Sequence, residues 1–452
     1  MKVKILICLL PAYVAAIVVL ACTAIATDNG NEMTITKDDQ IALITAVCDR
    51  LDKVYIYPER VADIRKYLYK NIEDGLYKKC VMPRDFAFQL DKDIQYITND
   101  KHMGIVLDPK AAAEMKTLQP GSYYTPQMID EYRQNNFGFK ELQILPGNIG
   151  YMDLREFCPA NYAGETAVAA MNYFANCCAL IIDLRYNGGG TDDMVQLLLS
   201  YFFESADSTI IFSTSYSRYT NTYFQSSTFP YVPGRRLSKT PLYLLISKST
   251  FSAAEAFAFN LKTLKRAIIV GENTRGGENP VEIQVIDNDY VIYISSWKLL
   301  SSISSTGNRW EGVGIKPDME IDAAQALTAA HIAALEMLSG KTDDENKKSK
   351  YQWAMVAIRA KANSVIIDKN TLQSYVGTYR DKRISIVNNE LHYQRGERMK
   401  MRMIPIAEDY FMIENVDSLR MKFIQENGTV TGAELFYDDG RVVKENKGDT
   451  IQ

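Results

Sequence analysis

Between Asp38 and Asp100 apolar residues recur every three or four positions, in "IALITAVCDRLDKVY", "RVADIRKYLYKNI" and "FAFQLDKDIQYI", with breaks at "YPE" and "MPRD". That period marks helices that bury one face, and it predicts a small N-terminal helical bundle over 38–107. A polar bridge through "LQPGSYYTPQ" leads to "LQILPGNIGYMDLREF", which reads as strands opening a second domain over 140–338. Short continuous apolar runs then alternate with helical periods: strand "CALIIDLR", a glycine loop and helix "TDDMVQLLLSYFF"; strand "PLYLLIS", a loop and helix "SAAEAFAFNLKTL"; strand "RAIIVGE". This alternation predicts an α/β core, a parallel or mixed sheet covered by helices, with ligands outside the carboxyl ends of its strands. "DAAQALTAAHIAALEML" reads as a closing helix and "KTDDENKKSK" as a charged, solvated linker. From about Thr371 the pattern turns to short strands with "VNNE", "ENG" and "DDG" turns, predicting an antiparallel β module over 366–452. No internal repeat is visible.

The first residues, "MKVKILICLLPAYVAAIVVLACTAIATDNG", do not belong to this scheme. A basic start, an apolar stretch and small residues near its end form an export signal, so the chain is expected in the periplasm or cell envelope. Three endings compete. "VLAC" resembles a lipoprotein box that would make residues 1–22 the signal and lipidate Cys22, although Leu20 fits it imperfectly. "AIA" ending at Ala26 fits plain secretion, and an uncleaved anchor is the third. The lipoprotein reading is preferred, with membrane contact only through a lipid at Cys22.

The 452 residues suffice for roughly two to four domains. A formal net charge of −4, with scattered lysines and arginines, gives no basic field and excludes nucleic acid as a partner. Beyond the signal lie Cys48, Cys80, Cys158, Cys177 and Cys178, an odd set with no C-x-x-C spacing, so they are assigned no chemistry. There is no H-E-x-x-H, and three histidines are too few for a zinc cluster, so no metal and no cofactor are expected.

Two loops carry candidate chemistry. In "STFSAAEAFAFNLKTL", Ser252 followed three residues later by Glu255 is a capping box, and a cap is the commoner meaning of such a serine. The run Asn187-Gly188-Gly189-Gly190 after a buried strand lacks the Lys-Ser/Thr pair of a P-loop and the spacing of a dinucleotide fingerprint. Glycines so placed make a tight turn, and also expose backbone N–H groups of the kind an oxyanion hole needs. Of the histidines, His331 lies in the closing helix and His392 in the terminal module; His102, in "NDKHMGIVLDP", alone is placed to serve the central domain as a base.

Together, "LIIDLRYNGGG", "SKSTFSAAEAFAFNLKTLKRAIIVGENTRGG" and "WEGVGIKPDMEI", with "DKHMG" upstream, resemble the tail-specific (C-terminal processing) serine peptidases. The match is closest to the branch of tricorn core protease and interphotoreceptor retinoid-binding protein and covers about Asp38 to Leu338. The resemblance implies a crotonase-like core and a serine endopeptidase acting on unfolded polypeptides or peptides. One version of the family uses a lysine in "T-x-G-K-G"; here the stretch is Thr274-Arg275-Gly276-Gly277-Glu278, with glycine in the lysine's place. The other version uses a histidine before the core and a carboxylate before "G-x-x-P-D", which match His102 and Glu311. The implied roles are Ser252 as nucleophile, His102 as base, Glu311 orienting the site, and the N–H groups of Gly189 and Ala253 as the oxyanion hole. Glu255 is expected to cap, Asp318 and Pro317 to fix a turn, and Asp183 and Arg185 to pair beneath the glycine loop. The stretch from His102 to Gly150 is too short for a PDZ domain, so tail specificity is not expected. The alternative is a non-catalytic binding module for an apolar ligand or peptide on the same fold; a surface scaffold docking through the β module is a third reading.

Overall fold

The structure, a computed structural model, describes residues 34–118, 124–204, 209–302, 309–363 and 365–448. The stretch expected to be an export signal, with Cys8, Cys22 and Ala26, lies outside them. The chain divides into two compact units, one of the described residues to 145 with 149–327, the other of 146–148 with the residues from 328 on.

The centre of the first unit is a six-stranded sheet in the order Met319–Glu320, Ile268–Gly271, Leu242–Ile246, Ala179–Asp183, Ile149–Leu154, Phe139–Leu145. All neighbours are parallel except the last pair, a hairpin, so the sheet is mixed. Ala179–Asp183 and Leu242–Ile246 are buried at every residue, as unbroken apolar strands covered on both faces should be. The helices Ala160–Tyr173, Asp192–Ser200 and Ala253–Thr263 bury residues at three- and four-residue spacing, among them Ala163, Ala167 and Ala170, Val195 and Leu198, and Ala254, Phe257, Ala258 and Leu261. These side chains join the strands in one core, where the Phe257 ring meets those of Phe157 and Phe202 at centroid distances of 5.3 and 6.2 Å.

The helices read from the N-terminal periodicity are Lys37–Val54, Val61–Glu73 and Pro83–Thr98. They do not close a core on themselves. Their buried faces meet Ile105, Tyr290, Ile292 and Ile294, which belong to a three-stranded sheet of Gly104–Leu107, Tyr290–Ser295 and Val281–Val285. Antiparallel pairing of Gly104 with Tyr293 stitches the segment after His102 to a strand far along the chain. A second small sheet sets Ile211–Ser217 between Trp297–Ser302 and Thr222–Ser227.

In the second unit, eight antiparallel strands from Gly377–Tyr379 to Val442–Asn446 follow one another in sequence order. A bridge from Tyr379 to Lys447 joins the first strand to the end of the last and curls the sheet toward a barrel. Positive φ at Asn388 and Asn389 (49° and 62°), and at Asn427 and Gly428 (52° and 79°), makes the tight hairpins that "VNNE" and "ENG" foretell. Inside, Tyr375 stacks on Phe423 with centroids 4.1 Å apart. The expected linker "KTDDENKKSK" is a correction: the helix Glu345–Ala362 begins within it, because the Asp344 side chain accepts from Asn346 and Lys347 N–H and caps it. Among the described residues no helix is long and apolar enough to cross a membrane.

The glycine loop supplies a test of this packing. A Cβ on Gly190, at φ +134°, would lie 2.2 Å from the Phe157 carbonyl oxygen, whereas one on Gly188 meets nothing within 4 Å. Gly190→Ala is expected to lower the unfolding free energy by about 2 kcal/mol or more and Gly188→Ala by under about 0.5 kcal/mol. Thermal or urea denaturation of the two variants checks the difference.

Candidate active site

The strand Leu242–Ile246 runs into a turn that delivers Ser252 to the start of the helix Ala253–Thr263. Thr250 fixes the turn: its hydroxyl donates to the Leu184 carbonyl (2.8 Å) and accepts from Ser247 N–H (2.9 Å). Ser252 has φ 56° and ψ −121°, a strained conformation for a residue with a side chain. Strain of this kind at a strand-to-helix turn is how a nucleophile is thrust out of a sheet. The glutamate half of the capping box is present too, with Ser252 N–H donating to Glu255 Oε2 at 2.9 Å. Ala253 N–H is one of the helix's first-turn donors, which have no acceptor within the helix.

The glycine loop lies at the end of the neighbouring strand. Asn187, fully buried, donates from Nδ2 to Leu154 O (2.9 Å), and its carbonyl accepts from Phe251 N–H (3.1 Å), tying the loop to the serine turn. Its Oδ1 accepts from Gly189 N–H at 2.9 Å. In this conformation Gly189 is therefore engaged, and among the described residues no hydrogen bond holds Gly188 N–H. Beneath the loop Arg185 grips Asp183 through Nε and Nη2 at 2.9 and 2.6 Å, and Tyr151 donates to the same carboxylate at 2.9 Å. Asp318 exchanges hydrogen bonds with Ile269 of the sheet, a structural role.

The segment Thr274–Asn279 organises the rest. Glu255, with no exposed surface, accepts from Thr274 Oγ1 (2.5 Å), Gly276 N–H (2.8 Å) and Gly277 N–H (2.8 Å) as well as from Ser252 N–H. Burial nevertheless pushes its carboxyl up to about 7. One residue further on, the N–H groups of Glu278 and Asn279 donate to Glu311 Oε2 at 2.7 and 2.9 Å. Glu278 returns the bond, accepting from Trp310 and Glu311 N–H.

His102 arrives from the other side. The helix Pro83–Thr98 ends at Asn99, in the left-handed conformation at φ 51°, and the chain reverses into Asp100. Asp100 Oδ1 accepts from His102 N–H at 3.1 Å, and Lys101 donates to Arg275 O at 2.5 Å, fastening this loop to the glutamate-held segment. The imidazole packs on the Phe251 ring with centroids 4.4 Å apart. A Cβ on Gly277 would stand 2.5 Å from His102 Cε1 and 2.3 Å from Phe251 Cε2, so any side chain at 277 would displace the imidazole. Donor atoms of Asp100, His102 and Glu311 lie within 4.8 Å of one another. Burial, aided by the Arg275 charge, pulls the imidazole down to about 3 and keeps it neutral. Burial pushes the carboxyl of Glu311 up to about 8, with the Asp100 charge adding to it, and that of Asp100 up to about 6.

Residues 148–321 match the family model described as Peptidase family S41. That segment, under half of the chain, is similar to the S41 family. Its members are serine-type peptidases, and the tail-specific peptidases that the motifs resemble are among them. Among solved structures, a candidate S41 protease from Bacteroides fragilis is 21% identical over 46% of this chain and 59% of that one, with a TM-score of 0.37. The photosystem II D1 C-terminal processing protease is 14% identical over 64% and 94% of the two chains, at 0.39. The tricorn protease is 12% identical over 67% and 37%, at 0.41. The chain thus spans under two thirds of the first of these.

The structure brings His102, which precedes the S41 segment, together with Glu311 inside it, and puts Phe251, the neighbour of Ser252, against the imidazole. It does not join serine to histidine: among the described residues neither imidazole nitrogen has a hydrogen-bond partner, so the Ser252–His102 bond is unmade in this conformation. Asp100 was not singled out from the sequence; the signal available was its place two residues before the only well-placed histidine.

Two expectations follow. Because glycine adopts the Ser252 conformation without penalty, Ser252→Gly relieves strain of about 1–3 kcal/mol, partly offset by about 0.5–1 kcal/mol of extra chain entropy. The variant is expected to equal or exceed the parent in urea denaturation; a loss would contradict the strain. Glu255 holds its proton to about pH 7 against an ordinary 4.5, so the folded chain binds more protons than the unfolded one between those values. The stability it contributes is complete below 4.5 and lost as pH rises through 7. The stability difference between parent and Glu255→Gln should fall across that window, and a level difference would refute it.

Proposed function

We propose that this chain is an exported serine endopeptidase that hydrolyses unfolded proteins or peptides with Ser252, His102 and Glu311. The observation that carries the reading is Ser252, held at positive φ at a helix N-terminus inside an S41 segment, opposite a buried histidine that meets Glu311. Ser252 Oγ attacks the scissile carbonyl carbon while a His102 nitrogen takes its proton. The oxyanion is held by Ala253 N–H, where the helix dipole also favours negative charge, and by a donor of the glycine loop. Gly189 serves there once Asn187 releases it, and Gly188 is the donor already free. Collapse breaks the C–N bond, the imidazolium returns its proton to the leaving amine, and water repeats the cycle on the acyl-serine.

A base pulled down to about 3 would be weak alone. The carboxylates supply the remedy: when His102 takes the serine proton, the positive charge forms beside Asp100 and Glu311, which stabilise it and share the proton they bind most readily. The Ser252–His102 bond tightens as substrate enters, as catalytic hydrogen bonds commonly do.

Further parts of this reading are a crotonase-like arrangement of the core, an N-terminal helical domain over 38–107, a β-rich accessory domain over 366–452, and export to the cell envelope with a lipid at Cys22. The unmade serine–histidine bond favours a second reading, a binding module for an apolar ligand or peptide.

Mass-spectrometric profiling of a peptide library with the chain and its variants decides between them. Ser252→Ala and His102→Ala are each expected to lose at least about 1,000-fold in kcat/KM, and Glu311→Ala at least about 100-fold. The Ser252→Ala/His102→Ala double variant should be no worse than either single change. Full activity in Ser252→Ala refutes the mechanism; silence of the folded parent turns the assignment to the binding module.

A further inference from the structure

The meeting of Asp100, His102 and Glu311 has a property that hydrolysis does not require. Asp100 is 2% and His102 6% exposed. Asp100 Oδ2, both imidazole nitrogens and Glu311 Oε1 are buried without a hydrogen-bond partner, although donor atoms of the three residues lie within 4.8 Å of one another. Buried polar atoms are ordinarily paired, and here one imidazole lone pair and one oxygen from each of two carboxyl groups converge on one point, which marks a place built for something positive.

We propose that Asp100, His102 and Glu311 form a binding site for a divalent cation of the zinc class. A neutral imidazole and two carboxylates are a donor set zinc accepts, with a fourth position left for water; zinc displaces the proton the two acids share, and their two charges then match the dication. Donor atoms around tetrahedral zinc stand about 2.0–2.2 Å from the metal and hence about 3.4 Å apart, so the side chains need close by only about 1 Å. The supports for such ligands are in place. Glu311 Oε2 is fixed by the N–H groups of Glu278 and Asn279, and Asp100 Oδ1 by that of His102, which leaves the other oxygen of each carboxylate free for the metal. Zinc on the imidazole occupies the lone pair that would accept the serine proton, so bound zinc silences hydrolysis reversibly. That consequence rests on the peptidase reading; the binding itself does not.

Isothermal titration of the full-length chain with Zn²⁺ tests the site, together with visible absorption on adding Co²⁺. Cys177 and Cys178, adjacent thiols, offer another sink for zinc, so the titrations are run with both changed to serine. In that background His102→Ala and Asp100→Asn are each expected to weaken binding at least tenfold, while Ser252→Ala leaves it unchanged. The Co²⁺ spectrum should show d–d bands without thiolate charge transfer. Circular dichroism melts establish that each variant is folded, and Glu311→Gln replaces any that is not. Absence of zinc binding by the parent, or equal binding by His102→Ala and Asp100→Asn, overturns the proposal. Binding needs no turnover, so a chain that binds zinc yet cleaves nothing upholds the site and refutes the peptidase reading.

Discussion

Glu255 sits at the junction through which the site is assembled. Its carboxylate accepts from the Ser252 turn on one side and from Thr274, Gly276 and Gly277 on the other. The serine therefore cannot move independently of the segment that shelves His102 and orients Glu311. A neutral amide at this position has one acceptor oxygen for four donors and would leave buried N–H groups unpaired, which makes the carboxylate a frame rather than a reagent. What reads locally as half of a capping box is in three dimensions the link between two loops.

Around that frame the site combines rigid and unsettled parts. The sheet, the Asn187 bridge and the Arg185–Asp183 pair fix the ends of two adjacent strands to within hydrogen-bond tolerances. The polar atoms facing the centre, by contrast, are unpaired: two imidazole nitrogens and one oxygen from each of two carboxylates. Such a centre is primed for positive charge, transient as an imidazolium or delivered by a cation.

The alternation of apolar runs with helical periods made the α/β core legible, because those strands and helices follow from local patterning, and the Asn-rich turns did the same for the β module. Ser252, His102 and Glu311 were singled out through ordered motifs rather than periodicity. Less could be read where distant segments cooperate. Nothing local to "GIVL" announces that it pairs with Tyr290–Ser295, yet this pairing gives the N-terminal helices their core and places His102. The engagement of Gly189 by Asn187 is likewise a side-chain choice that the glycine run does not reveal. Asp344 outweighed the charge-rich composition that suggested a linker, since one cap starts a helix whose buried face comes from residues further on.

The space beside Gly277 carries a lesson about how such a chain can change. Imidazole and phenyl ring fill the volume that a side chain at 277 would occupy. In the lysine version that the motif at Thr274–Glu278 resembles, this is the position the lysine would take. The two bases thus exclude each other in space, and neither can be added as a spare while the first still works. A lineage passing from one to the other must cross a chain with no base or change two distant positions together, which separates the two chemistries by a barrier of packing rather than of reactivity.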